Sequence, residues 1–143
     1  MKEILRGLTE HQATTDPTSS DHRLRGRTYA IPFDDVWRAA TSLASGTLRG
    51  WMLLSADDQE GVIEASTRTR LLGFRGEVRI EIGLDENAQT RVDAQSISMT
   101  RRGDLGRSRR ALARFFRELD RALSAEPSKI LDATRAPAWL TPS

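Results

Sequence analysis

Residues 92–123, VDAQSISMTRRGDLGRSRRALARFFRELDRAL, constrain the chain more than any other stretch. They read as a strand, a basic glycine-containing turn and a two-sided helix. Leu112, Phe115, Phe116, Leu119 and Leu123 recur at intervals of three and four, the spacing of one helical face. Arg107, Arg110, Arg114, Arg117 and Arg121 recur in the same way. At about 100° per residue the arginine stripe centres opposite the apolar one. The apolar face must find a sheet to lie on, and the arginines must find water or a partner. Spacing offers internal pairs: Arg114 with Glu118, Arg117 with Asp120, and Arg121 with Glu118. Eight arginines against three acids between 101 and 121 still leave this segment at +5, in a chain whose total is +2. Either Asp104 or Ser108 serves as the helix N-cap. Gly103 and Gly106 suggest backbone angles that other residues avoid.

Length bounds the rest. A chain of 143 residues is one domain, large enough to bury a core without disulfides or metal. There is no cysteine, hence no disulfide frame, thiolate metal site or cysteine nucleophile. The opening MKEILRGLTEHQ lacks an apolar run long enough for a signal peptide or a membrane span, so the expectation is a soluble cytoplasmic protein. The basic pI of about 9.6 comes from twenty arginines against two lysines. A net charge of +2 is too small to imply nucleic acid, so only the distribution of charge carries weight.

Residues 1–23 read as a flexible arm, HQATTDPTSSD being polar with little to bury, although Ile4, Leu5 and Leu8 suit a helical turn. Both histidines, His11 and His22, fall there, and no carboxylate or second ligand keeps catalytic or metal spacing with them. RTYAIPF, residues 27–33, reads as a first strand. DDVWRAATSLASG reads as a helix capped by Asp34 or Asp35, burying Val36, Ala40, Leu43 and Ala44, with Trp37 beside them and Gly46 as its stop. Four strands follow, at 50–56, 62–72, 77–84 and 90–99. In the third, Val78, Ile80, Ile82 and Leu84 alternate with Glu77, Arg79, Glu81 and Gly83. In the fourth the parity is weaker, because Ile97 and Met99 oppose Val92 and Ala94, which suggests a bulge or a second packed surface.

The order β-α-β-β-β-β-α with short connections favours an antiparallel sheet of about five strands. Alternation leaves one apolar face, so both helices cover that face. The expectation is a two-layer α+β domain over residues 24–124, with 125–143 a tail whose Ile130, Leu131, Trp139 and Leu140 pack back onto the domain or onto another copy. Glu64, Arg68, Arg70, Glu77, Arg79 and Glu81 then lie on the uncovered face as cross-strand pairs.

The acidic pairs Asp34–Asp35, Asp57–Asp58 and Asp85–Glu86 fall in caps and turns, and no serine has a histidine in reach. No catalytic residue, cofactor or metal ligand is assigned. GFRGEV and RRGDLGRS lack the glycine fingerprint and the phosphate-loop lysine. The second still opens a helix beside Arg101, Arg102 and Arg107, which is how an anion site is built.

The stretches LRGRTYAIPFDDVW, GWMLLSADDQEGVIEA, FRGEVRIEIGLDENAQTRVDAQSIS and GDLGRSRRALARFF together resemble a bacterial domain family of unknown function, number 1499. The most specific part is Ser96 and Ser98 followed by Asp104, Leu105, Gly106 and the helix. The family tends to have an Asp-Asp pair where this chain has Gly76 and Glu77, and Asn where it has Ser108. The resemblance implies a small α+β domain without an assigned reaction.

The reading is a non-enzymatic domain that binds an acidic protein partner or a small anion. Its surface would be Arg101, Arg102, Asp104, Gly106, Arg107, Arg110, Arg114, Arg117 and Arg121. Two alternatives stay open: nucleic-acid binding through the same stripe, and a cavity enzyme with the last helix closing over the sheet. Ile97, Met99 or Trp139 would serve a dimer; no membrane contact is expected.

Overall fold

The computed structural model describes residues 12–16, 26–68, 75–98, 105–124 and 130–131. It is an open antiparallel sheet with two helices on one face, the α+β arrangement expected. In chain order the elements are β1 (Gln12–Thr14), β2 (Arg27–Tyr29), α1 (Phe33–Ser42), β3 (Trp51–Asp57), β4 (Val62–Arg68), β5 (Arg75–Leu84), β6 (Thr90–Ser98), α2 (Leu105–Ala122) and β7 (Ile130–Leu131). The sheet runs β3-β4-β5-β6-β2-β7. β1 and β2 lie end to end along β6, opposite residues 95–97 and 90–92 respectively. β1 and β7 fall outside residues 24–124, in segments read above as an arm and a tail.

The long strands follow their alternation. On β5, Val78, Ile80 and Ile82 are buried and Glu77, Arg79 and Glu81 are exposed. The register carries that parity across the sheet: Ile63 faces Ile80, Ala65 faces Val78, and Ala94 faces Ile80 from the other side. Leu84, the last residue of the strand, departs from it and is 62% exposed. Of the two readings offered for β6, a bulge or a second packed surface, the bulge is absent among the described residues, where pairing with β5 is regular from Ser98 to Thr90. The irregularity sits in β3, where Leu54 is an extra residue between Leu53 and Ser55. On the helix-free face Arg79 reaches Glu64 on β4 at 3.0 Å, the cross-strand pairing anticipated, and Glu81 on its own strand at 3.1 Å. Arg70 lies outside the described residues.

α1 starts at Phe33, one residue before the expected caps, with Pro32 in the N-cap position and no side-chain cap. Asp34 and Asp35 instead occupy its first turn, where the free N–H groups favour negative charge. The first strand is correspondingly shorter than residues 27–33. Past Ser42 the helix widens into one π turn, Leu43–Thr47, closed by the Leu48 N–H donating to the Leu43 carbonyl at 3.1 Å. Gly46 ends it at φ 127°, in line with its reading as a stop.

Val36, Ala40, Leu43 and Ala44 of this segment share one core with Leu112, Phe115, Phe116 and Leu119 of α2 and the apolar face of the sheet. Trp51 stacks on Phe115 at 5.6 Å between ring centroids, and Phe116 meets Phe115 edge-on at 5.3 Å. Both geometries are favoured for aromatic pairs. Truncating Phe116 to Ala should cost about 3–5 kcal/mol of unfolding free energy. Urea denaturation measures it, and a loss near that of an exposed site would contradict the packing.

Candidate functional site

The apolar face of α2 fixes where its arginines point. Leu112, Phe115, Phe116 and Leu119 are all fully buried and Leu123 is partly buried. Arg110, Arg117 and Arg121 on the opposite side are exposed, as is Arg109. Arg107 and Arg114 are half-buried. The outward line from Arg110 to Arg121 is eleven residues, about 16 Å along the helix.

Of the expected pairs, one forms: Arg121 Nη1 donates to Glu118 Oε1 at 3.3 Å. Arg114 turns instead to the loop before β3, donating to the Arg49 carbonyl at 3.0 Å. Asp120 does not meet Arg117; it faces the sheet. Arg110 and Arg117 make no ion pair with a described residue.

Arg101, Arg102 and Asp104 lie outside the described residues, as do both histidines, Met99 and Trp139. Gly106 is the second residue of α2, so its backbone is helical and is not the special turn angle inferred from its being glycine. Ser108 is the fourth residue of the helix and buried, which removes it as the N-cap.

Asp120 leads to a cluster that sequence reading missed. It follows Phe116 by four residues, and so sits on the flank of the buried face. Tyr29 on β2 donates its phenol proton to Asp120 Oδ1 at 2.5 Å. Arg27, two residues earlier on the same face of β2, approaches Asp120 Oδ2 at 3.5 Å and lies 5.1 Å over the Phe116 ring. Tyr29 is fully buried. The signal available was the pairing of an acid at helical phase with a buried phenylalanine and a tyrosine alternating with arginine on a strand. The arrangement is a closed hydrogen-bonded seam: the phenol and the carboxylate satisfy one another at the rim of the core.

A second network covers the break between β1 and β2. Arg91 grips Asp93 with two nitrogens, Nε at 3.0 Å and Nη2 at 2.7 Å. Thr15 also donates to Asp93, at 2.9 Å, and its hydroxyl accepts the Ala94 N–H. Thr28 accepts from Arg91 at 3.2 Å. Gly26 is what lets the chain re-enter here. At φ 77°, a Cβ on it would stand 2.6 Å from Arg91 Nη2 and 2.7 Å from Asp93 Oδ1.

A shallow groove of about 560 Å³ lies between the start of α1 and the end of α2, lined in part by Ile31, Pro32, Ala39, Leu43 and Leu123, with Asp35 and Arg38 at its edge. The described residues contain no group of His, Cys, Asp and Glu able to hold a metal ion. No described helix is long and apolar enough to cross a membrane.

Burial first, then the hydrogen bond to Asp120 and its charge, push the Tyr29 phenol well above its ordinary pKa of 10.0. The sign follows. Above pH 10 the unfolded chain sheds this proton while the folded chain keeps it, so the associated stability is intact below about pH 10 and is lost as pH rises further. Tyr29 is the only tyrosine, so Y29F should flatten that alkaline loss. It should also cost about 1–3 kcal/mol at neutral pH, since the partner it abandons is charged. Denaturation midpoints measured from neutral pH to about pH 11 test both, and identical alkaline slopes in the two proteins would refute the seam.

No curated protein matches the chain. The family model described as "Protein of unknown function (DUF1499)" matches residues 8–119, a span that takes in β1 through the buried face of α2. The chain belongs to that family.

Proposed function

We propose that this domain is a binding module whose outward α2 face takes an acidic partner, with carboxylates or other anions meeting Arg110, Arg117 and Arg121. One observation carries the reading. Arg110 and Arg117 stand exposed in line with no described counter-charge, on a helix whose opposite face is locked into the core. A rigid helix presents its charges without first being ordered, which lowers the entropic cost of binding. Arginine suits the role, because each planar guanidinium offers a fork of donors to a carboxylate.

The face carries no aromatic side chain on which a base could stack, which favours recognition of charge over recognition of single-stranded nucleic acid. The catalytic alternative finds little support. The phenol of the only tyrosine is committed to Asp120, and the side chains beneath α2 are packed against one another.

The test is a pair of charge reversals, R110E with R117E. Fluorescence anisotropy with a labelled polyglutamate peptide at low salt should show binding weakened at least about tenfold, a change of about 1.4 kcal/mol. Stability should stay within about 0.5 kcal/mol of the parent, since both sites are on the surface. Equal peptide binding by parent and variant would reject the face as a docking surface. Tighter binding of duplex DNA than of a peptide of equal charge would move the partner to nucleic acid.

A further inference from the structure

The register of the sheet sets Arg68, the last residue of β4, directly opposite Arg75, the first residue of β5. Both are exposed and, by alternation with Thr67 and Gly76, both stand on the helix-free face. Adjacent strands lie about 5 Å apart, and like charges directly opposite one another repel. A carboxylate in either place would remove the cost, yet two arginines face each other. The nearest acids do not relieve them. Glu64 and Glu81 are both taken by Arg79. Glu77 is two residues further along β5, opposite Ser66, and forms no ion pair with either arginine among the described residues.

A third arginine is brought to the same corner by a backbone device. The Arg68 N–H donates to the Gly50 carbonyl at 2.9 Å, which lays the turn before β3 against the end of β4. Gly50 has φ 87°, and a Cβ there would stand 2.4 Å from the Arg68 carbonyl oxygen. Only glycine permits so close an approach, and the residue it carries alongside is Arg49, itself exposed. The Arg49 carbonyl is held from the other side by Arg114. The turn is therefore pinned at both residues, and the Arg49 backbone is held beside the end of β4, where Arg68 faces Arg75.

We infer that Arg68 and Arg75, flanked by Arg49, form a clasp for the terminal phosphate group of a small phosphorylated ligand. The chemistry selects the class. Two guanidinium forks offer two pairs of parallel donors and two positive charges. A carboxylate has two oxygens and one charge, and saturates one fork. A phosphate monoester presents three free oxygens and close to two negative charges at neutral pH, enough to engage both forks. A phosphodiester in a nucleic-acid backbone has one charge and two free oxygens, so it serves the pair less well. The clasp lies on the helix-free face and does not rest on the reading of the α2 stripe.

The experiment is a titration of the full chain with inorganic phosphate at fixed ionic strength, following the arginine side-chain N–H signals by NMR, with chloride as the matched control. The Arg68 and Arg75 signals should move saturably with phosphate and not with chloride. R75E places a carboxylate opposite Arg68; it should weaken phosphate binding at least about tenfold and leave the melting temperature at low salt equal to or above that of the parent. R110E with R117E should leave the phosphate titration unchanged. The inference fails if phosphate and chloride give the same shifts, if R75E titrates like the parent, or if the helix variant alone loses the response. It also fails if duplex DNA saturates the two signals at a lower phosphate concentration than inorganic phosphate does.

Discussion

The seating of α2 on the sheet, through Leu112, Phe115, Phe116 and Leu119, is the contact on which the other features depend. These side chains are fully buried, and they occupy an arc of about 100° on the helix circumference. Rotating the helix by even a quarter turn would bring arginine against the apolar face of the sheet at β6, where Val92 and Ala94 are buried. An unmatched guanidinium in that setting costs far more than any surface contact returns. The rotational setting of the helix is thus over-determined, and every polar position on it inherits a fixed direction. Asp120 is delivered to Tyr29 and Arg27, Arg114 to the Arg49 carbonyl, and Arg110 and Arg117 to solvent. The same packing orders the far end of the sheet. Trp51, which stacks on Phe115, immediately follows the turn that carries Arg49 and Gly50.

Much of this was legible because periodicity reports burial directly. The two helices, the four long strands and the inward sets on β5 and α2 all follow from residues spaced by two or by three and four. What escaped sequence reading depends on contacts across long separations or on termini where spacing is silent. Tyr29 and Asp120 are 91 residues apart, and nothing local marks either as a partner of the other. β1 has three residues and β7 has two, too short for alternation to register, and each exists because an edge of the sheet offers free backbone groups. Helix starts misled for a related reason. Asp34, Asp35 and Ser108 have cap chemistry, yet Phe33 opens α1 and Leu105 opens α2, so those polar residues fall inside the first turn. Gly106 illustrates the same limit, because a glycine permits unusual angles without requiring them.

The candidate surface was legible only in its outward half. The stripe of Arg110, Arg117 and Arg121 could be read from phase alone. That Arg114 is diverted to a backbone carbonyl could not, since its acceptor belongs to a loop 65 residues away. The opposed Arg68 and Arg75 were equally hidden. Each looks like an ordinary outward residue until the β4–β5 register puts one against the other.

The arginines of the described chain sort by how the fold treats them. Arg27, Arg79 and Arg91 sit within the sheet, and each has its carboxylate: Asp120, Glu64 with Glu81, and Asp93. The Arg27 and Arg91 pairs are partly buried, where a missing partner would be expensive, whereas the Arg79 pairs are exposed. Arg68, Arg75, Arg110 and Arg117 lie where water screens charge, so the fold itself tolerates them without counter-ions. Arg110 and Arg117 on the outer face of α2, and Arg68 and Arg75 at the β4–β5 corner, are left without an ion pair among the described residues. A neutral glutamine would serve the fold equally well at those four positions. Stability therefore gives no reason for arginine at these positions, and the proposed binding of anions would supply one. The proposed clasp of Arg68 and Arg75 and the proposed surface of Arg110 and Arg117 use different residues on opposite layers, so charge reversal at one is expected to leave the other intact.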